Sequence, residues 1–179
     1  ELVIGNNQWL IAGAGAAGPA LEGYISQFGM RAGPGAIDSV KIKGGNLIYS
    51  TIEGQKAVGI CGSGIIDLLA QMRLNGWINI AGELNPEASD RIVYLPEENQ
   101  YAAVYCLPEE SASGQVLYCS QADILQHLDT KAAAFTMIDS LMSSAGISED
   151  ELSHCYLSGA FPAHSDLEAA ITLGIFPDL

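Results

Sequence analysis

Gly13-Ala14-Gly15-Ala16-Ala17-Gly18 is a literal G-x-G-x-x-G after the apolar run Trp9 to Ala12, with Asp38 twenty residues beyond Gly18. Glycines so spaced let a turn wrap a pyrophosphate at a helix N-terminus while the acid holds a ribose hydroxyl, so the chemistry on offer is dinucleotide binding. That mechanism needs a helix starting at the third glycine and a second strand ending at the acid. Pro19 and Gly23 punctuate the would-be helix, Pro34-Gly35 break the chain again, and Asp38 precedes the run Val40 to Lys43 instead of ending it. A close-packed Gly/Ala segment is the better expectation, and an NAD-binding oxidoreductase is the weakest functional reading.

Gly59-Ile60-Cys61-Gly62-Ser63-Gly64 passes from a strand-like run through glycines into a helical pattern. A helix entered this way presents unpaired N–H groups that suit an anion or a ribose oxygen. It lacks the lysine of a phosphate-binding P-loop, and a plain strand-to-helix turn explains it equally well. Tyr156-Leu157-Ser158-Gly159-Ala160-Phe161 runs from a strand into a small-residue turn that a flat ring could approach closely.

Single residues offer less. His127, His154 and His164 share no metal-ligand spacing, and each reads as a solvated or capping residue. Asp67 sits one turn into its helix, where a carboxylate suits the dipole whatever the function. Cys61, Cys106, Cys119 and Cys155 form no C-x-x-C pair, which disfavours a zinc ribbon or an iron–sulfur site. Buried reduced thiols are expected, with a Cys106–Cys119 disulfide as the alternative. No His or Lys adjoins Cys61 in sequence, so nucleophilic chemistry there is not supported.

The elements that must position these residues follow from punctuation and periodicity. Leu2 to Ile4, Trp9 to Ala12, Val40 to Lys43, Leu47 to Ile52 and Ala57 to Cys61 read as strands, with hairpin turns at Gly5-Asn6-Asn7 and Gly44-Gly45-Asn46. A helix runs from Ser63, a candidate cap, to Gly76. Arg91 to Leu95, Tyr101 to Cys106 and Gln115 to Cys119 predict a small, solvated antiparallel sheet. Ser120-Gln121-Ala122-Asp123 resembles a capping box with Asp in the Glu position, opening a long helix whose apolar stripe would be Leu125, Leu128, Ala132, Phe135, Ile138 and Met142. A short helix at Ser148, a strand at Cys155 to Ser158, and a last helix from Ser165-Asp166 to Gly174 complete the order.

At 179 residues with 49% hydrophobic composition, the chain can bury a sizeable core as one domain. We divide it into an α/β part over 1–75, a small β insert over 76–120 and a second α/β part over 121–179. A formal charge of -14 opposes nucleic acid and anionic lipid as partners. No apolar run approaches the 18 or so residues of a membrane span, and the absent leader pattern together with reduced thiols suggests a cytoplasmic protein. Opening on Glu1-Leu2-Val3-Ile4, as if inside a strand, the sequence reads as a piece of a longer polypeptide.

Taken together, "WLIAGAGAAGPALEG", "GMRAGPGAID", "GICGSGIIDLLAQM", "SQADILQHLDTKAAAF" and "LSGAF...DLEAAITLGIFPD" resemble, in that order, the C-terminal region of the reductive activators of corrinoid proteins. The resemblance covers nearly the whole chain except 80–115. It implies a partial actin-like (ribonuclease H-like) ATPase fold with a mixed sheet, similar to actin, sugar kinases and heat-shock chaperones. It also implies a parent with a ferredoxin-like N-terminal domain, in which ATP helps an iron–sulfur centre reduce a Co(II) corrinoid to Co(I). By that resemblance Gly159, Ala160 and Phe161 match an adenosine-motif turn, with Pro162 where the family has Gly. Gly62, Ser63 and Gly64 match a helix entry facing the nucleoside, and Lys131 is a candidate ribose or adenine contact. The acidic phosphate loops and their Mg2+ would lie upstream, so no tightly bound cofactor is expected here. The implied partner is a corrinoid protein or methyltransferase, a homodimer stays open, and a docking module that needs no nucleotide is the alternative.

Overall fold

The computed structural model describes residues 2–14, 26–158 and 166–175. The chain opens on a two-stranded antiparallel hairpin of β1 (Leu2–Gly5) and β2 (Leu10–Gly13). β3 (Ala36–Lys43) then pairs antiparallel with β4 (Asn46–Thr51) and parallel with the two-residue β5 (Gly59–Ile60), giving a mixed sheet in the order β4-β3-β5. The β3–β4 connection is a two-residue turn in which Gly44 and Gly45 both have positive φ, at 56° and 81°. Only a twist-matched turn of that kind closes a tight hairpin, and glycine adopts it without strain.

Inward-facing residues of β3 explain a quirk in the pattern. Val40 and Ile42 are buried two residues apart, as a half-buried strand requires, but Ile37 is three residues before Val40. The register shift between Ile37 and Ser39 absorbs the extra residue, so all three reach the same core. Asp38 therefore lies inside β3, accepting a hydrogen bond from Ser50 Oγ at 2.8 Å, and does not precede the strand.

α1 (Gly62–Leu74) follows β5 directly. Its N-cap is Cys61, not Ser63, which sits buried in the first turn with its hydroxyl 3.3 Å from Cys61 Sγ. Gly62 to Ala70 are all buried, the signature of a helix enclosed on most sides. Two of its side chains finish the sheet: Asp67 Oδ2 accepts from Val40 N at 3.1 Å and Gln71 Oε1 from Ile42 N at 2.9 Å. These donors on the edge of β3 beyond the short β5 would otherwise go unpaired, so residues four apart on α1 stand in for a strand.

The second sheet is antiparallel in the order β6 (Ile92–Leu95), β7 (Gln100–Cys106), β8 (Leu117–Ser120). It is less solvated than its polar flanks suggest. Ala102 to Cys106 are buried consecutively, because β7 is the central strand with one side against α2 and the other reaching Tyr49 of β4. Tyr105, Cys106 and Leu117 join Ile37, Leu68, Met72 and Trp77 in one continuous core.

α2 (Gln121–Ala145) starts at the expected capping box. Ser120 Oγ accepts from Asp123 N at 3.1 Å, Asp123 Oδ2 accepts from Ser120 N at 2.9 Å, and Gly146 ends the helix in the left-handed conformation. Its buried face, however, is phased on Ile124 and His127. Leu125 and Phe135 of the expected stripe are 45% and 60% exposed, because the sheet and α1 meet the helix about one position away from that line. A 3-10 turn at Glu149–Glu151 and the short α3 (Leu167–Thr172), capped by Asp166 Oδ1, follow. The strand expected at Cys155 to Ser158 does not form: 152–158 carries no regular element, Tyr156 is 87% exposed, and no strand edge among the described residues pairs with it. All four cysteines are free. Cys61, Cys106 and Cys119 are buried as expected, whereas Cys155 is exposed because its segment lies outside the core.

Candidate functional site

Gly62, Ser63 and Gly64 lie in the interior at the junction of α1 with β3 and β5. The reason for glycine at 64 is packing. A methyl group there would sit 2.3 Å from the carbonyl oxygen of Ile37 and 2.9 Å from Ile60 Cγ1. That same carbonyl accepts from Cys61 N at 3.0 Å and from Cys61 Sγ at 3.3 Å, so the start of α1 is tied closely to β3.

Lys131 is elsewhere. It lies half-buried in the middle of α2, and its ammonium lies against Gly174, just past the end of α3. There it borders a pocket of about 50 Å3 formed where α1, α2 and the end of α3 converge. α1 contributes Ile66 and Leu69, α2 contributes Ile124, His127, Leu128 and Ala134, and Leu173 and Ile175 close the side near α3. Gly62, Ser63 and Gly64 are not among its lining residues, so the structure does not bring the helix entry and Lys131 into one lined space. Gly159, Ala160 and Phe161 fall outside the described residues, as do most of the G-x-G-x-x-G run and His164. Gly13, its first glycine, ends β2 of an antiparallel hairpin and packs against Leu141 of α2. That topology differs from the parallel unit dinucleotide binding needs.

Among the polar residues lining this pocket, Thr130 donates to Gln126 O at 3.0 Å, which leaves Lys131 and His127. Lys131 makes no ion pair or hydrogen bond among the described residues, despite the chain's net charge of -14. His127, one turn before it, is 6% exposed, and neither ring nitrogen has a hydrogen-bond partner among the described residues. Burial holds the imidazole neutral, pushing its pKa down from 6.5 to about 4. A neutral ring carries one donor and one acceptor nitrogen, both here unused. Sequence reasoning passed His127 over as a surface residue. The signal available was spacing: Ile124, His127, Leu128 and Lys131 share one helical face once the stripe is phased on Ile124.

The rest of the described residues offer no metal-holding cluster. Burial raises the pKa of Asp67 and Asp123; Asp67 Oδ2 accepts from the β3 backbone at Val40 N, and Asp123 Oδ2 from Ser120 N at the start of α2. Among the described residues no cluster of three or more His, Cys, Asp or Glu is placed to hold a metal ion, and His154 is hydrogen bonded to Ser153 Oγ at 3.1 Å and stacked on Tyr156 at 6.0 Å. Among them, too, no helix is long and apolar enough to cross a membrane.

Comparison with known proteins converges on one group. All 179 residues match the family described as the C-terminal domain of RACo, the ASKHA domain. The corrinoid activation enzyme RamQ of Eubacterium limosum is 30% identical over 100% of this chain and 31% of its own length. The [Co(II) methylated amine-specific corrinoid protein] reductase of Methanosarcina barkeri is 26% identical over 99% of this chain and 33% of its own. A solved structure of a reductive activator for corrinoid, iron-sulfur protein superposes with a TM-score of 0.91 at 33% identity, covering 99% of this chain and 28% of that one. The chain thus spans about a third of the length of these relatives.

Proposed function

The chain belongs to the RACo C-terminal ASKHA-domain family, with its actin-like fold, and on that footing we propose that it forms one wall of the nucleotide cleft in an ATP-dependent reductive activator of a corrinoid protein. The reaction adds one electron to Co(II) to give Co(I), with nucleotide binding coupled to closure between the two lobes of the cleft. One observation carries the reading: Lys131, without an acidic partner among the described residues, borders an apolar pocket in a strongly acidic chain. Apolar walls beside a cation suit a nucleotide, whose base is flat and uncharged and whose phosphates are anionic.

Residues present support only part of the cofactor set. Lys131 and the apolar walls it borders suit contact with part of a nucleoside, the pocket of about 50 Å3 being too small to enclose one, and ATP held there would supply the free energy of phosphoryl transfer to water. The described residues hold no cluster of three or more His, Cys, Asp or Glu placed for a metal ion, and all four cysteines are free thiols, so neither a magnesium step nor an iron–sulfur centre is assigned to them. The electron donor in this reading is a separate iron–sulfur domain of the parent protein. The test is reduction of a Co(II) corrinoid protein by the full-length parent with and without ATP, with reduction that is the same in both arms counting against it.

A second reading draws on the outer face of α2. Leu125 and Phe135 are exposed large apolar side chains on one helix, and they would suit docking to a corrinoid protein without nucleotide. If the corrinoid protein is retained equally with and without ATP, and Phe135→Asp alone abolishes retention, docking is the function of this domain.

A further inference from the structure

The structure assigns the open edge of β4 as a docking site for an extended, acidic segment of a partner protein, which joins the β4-β3-β5 sheet as a further strand. That this partner is the corrinoid protein rests on the proposed function; the edge itself follows from backbone geometry.

The two edges of the β3–β4 ladder are treated differently. Val40 N and Ile42 N point away from β4 and are taken up by Asp67 and Gln71 of α1. Their register partners are Tyr49 and Leu47. In an antiparallel ladder, two residues opposite each other either exchange both backbone bonds or turn both sets of groups outward. Since Val40 and Ile42 turn outward, the N–H and C=O groups of Tyr49 and Leu47 do so as well, on the far side, where β4 is the last strand of its sheet. No hydrogen bond among the described residues engages them there. Side chains of α1 close one edge, and the other stays open. Proteins guard such edges with a charge, a proline or a bulge on the strand itself. β4 reads Asn46-Leu47-Ile48-Tyr49-Ser50-Thr51, with no charge and no proline, and the irregularity of its ladder lies on β3.

Charge then selects the occupant. Lys41 and Lys43 alternate with the buried Val40 and Ile42, so both stand on the outer face of β3, where Ile48, opposite Lys41, is 54% exposed. Neither lysine is in an ion pair or hydrogen bond among the described residues, although Lys41 acts on the buried Asp67 through space. From Ser39 to Ile52 there is no Asp or Glu, in a chain with 21 acids against seven bases. Asp38 lies at the other end of the ladder, held by Ser50 Oγ. A strand added to β4 would lie about 10 Å from β3, two strand spacings, a gap that the flexible lysine stems reach across. The edge thus suits a segment that alternates acidic and apolar residues, its backbone bonds giving affinity and its carboxylates the choice of partner. A second copy of the chain fits worse: β4 paired with β4 about a twofold axis would gather four lysines and bring no carboxylate on either strand to meet them.

The test uses the full-length activator and its corrinoid protein. Hydrogen exchange read by mass spectrometry over 46–51 should be fast in the free activator and slowed when the corrinoid protein binds. Lys41→Glu/Lys43→Glu should raise KM for the corrinoid protein about tenfold at low salt, a difference that narrows as salt is added, with kcat and KM for ATP little changed. ATP-driven reduction in which 46–51 exchanges alike with and without the corrinoid protein, or in which the double variant keeps the KM of the parent, would overturn the docking site and leave the proposed function standing. Slow exchange of 46–51 in the free activator would give the edge to the activator's own chain, and protection that grows with activator concentration alone would give it to a second copy; either overturns the assignment. No ATP-dependent reduction by the parent would overturn the proposed function and, with it, the identity of the partner.

Discussion

Replacing Gly64 with Ala sets two physical effects against each other, and the structure decides the sign. Considered as a helix residue alone, alanine should stabilise α1 by about 1 kcal/mol. Its methyl carbon, however, would lie 2.3 Å from Ile37 O, about 1.1 Å short of the 3.4 Å at which ordinary contact begins. Because the obstacle is backbone, α1 must lift off β3. Overpacking of this kind costs about 1 to 3 kcal/mol. The lift also stretches the bonds from Val40 N to Asp67, at 3.1 Å, and from Ile42 N to Gln71, at 2.9 Å. Losing the carboxylate bond adds about 1.5 to 3 kcal/mol and the amide bond about 0.5 to 1.5. Net of the propensity gain, Gly64→Ala should destabilise the chain by roughly 2 to 6 kcal/mol, a large part of a typical domain's stability. Urea unfolding followed by Trp77 fluorescence, in a Trp9→Phe background, measures it, since Trp77 is buried just beyond α1. A midpoint unchanged or raised would show that α1 does not sit against β3 as described.

Three further outcomes are expected. Asp123→Ala removes the carboxylate that accepts from Ser120 N and should cost about 1 kcal/mol, read as a lower urea midpoint and reduced helicity by circular dichroism. His127 has a folded pKa of about 4, below its unfolded value of 6.5, so the unfolded chain binds the extra proton first. Stability is then full above pH 6.5 and falls as pH drops toward 4, by about 2 kcal/mol between pH 7 and pH 5; His127→Leu should flatten that slope in urea titrations at the two pH values. Of the four cysteines only Cys155 is exposed, so a disulfide reagent should label one thiol quickly in the native chain and all four in urea, with Cys155→Ser removing the fast phase.

What the sequence made legible were features written in neighbouring residues. The Gly44-Gly45 hairpin, the stop at Gly76 and the Ser120–Asp123 capping box each depend on chemistry within a few positions, and each formed, Asp serving where Glu is usual. Features set by distant partners were harder. Leu125 and Ile124 are equally apolar, and only the position of the sheet and α1 decides that Ile124 faces inward. Cys155 to Ser158 has strand composition, but a strand also needs an edge to pair with, and composition says nothing of that. Gly64 lets α1 approach β3 closely, and close approach to a ligand would demand the same missing side chain, so the sequence alone does not separate the two. Lys131 was singled out as a candidate contact, while His127, which shares its pocket, was not, because a lone histidine on a helix shows its burial only in three dimensions.

The most direct measurement follows the Co(II) electron paramagnetic resonance signal of a corrinoid protein mixed with the full-length activator, a low-potential electron donor, and either ATP or no nucleotide. The expected result is loss of the Co(II) signal with ATP, little change without it, and a marked rise in the ATP needed when Lys131 is replaced by Met. Equal loss of signal in both arms, or a Lys131→Met protein indistinguishable from the parent, would contradict the assignment of this domain to nucleotide-driven corrinoid reduction.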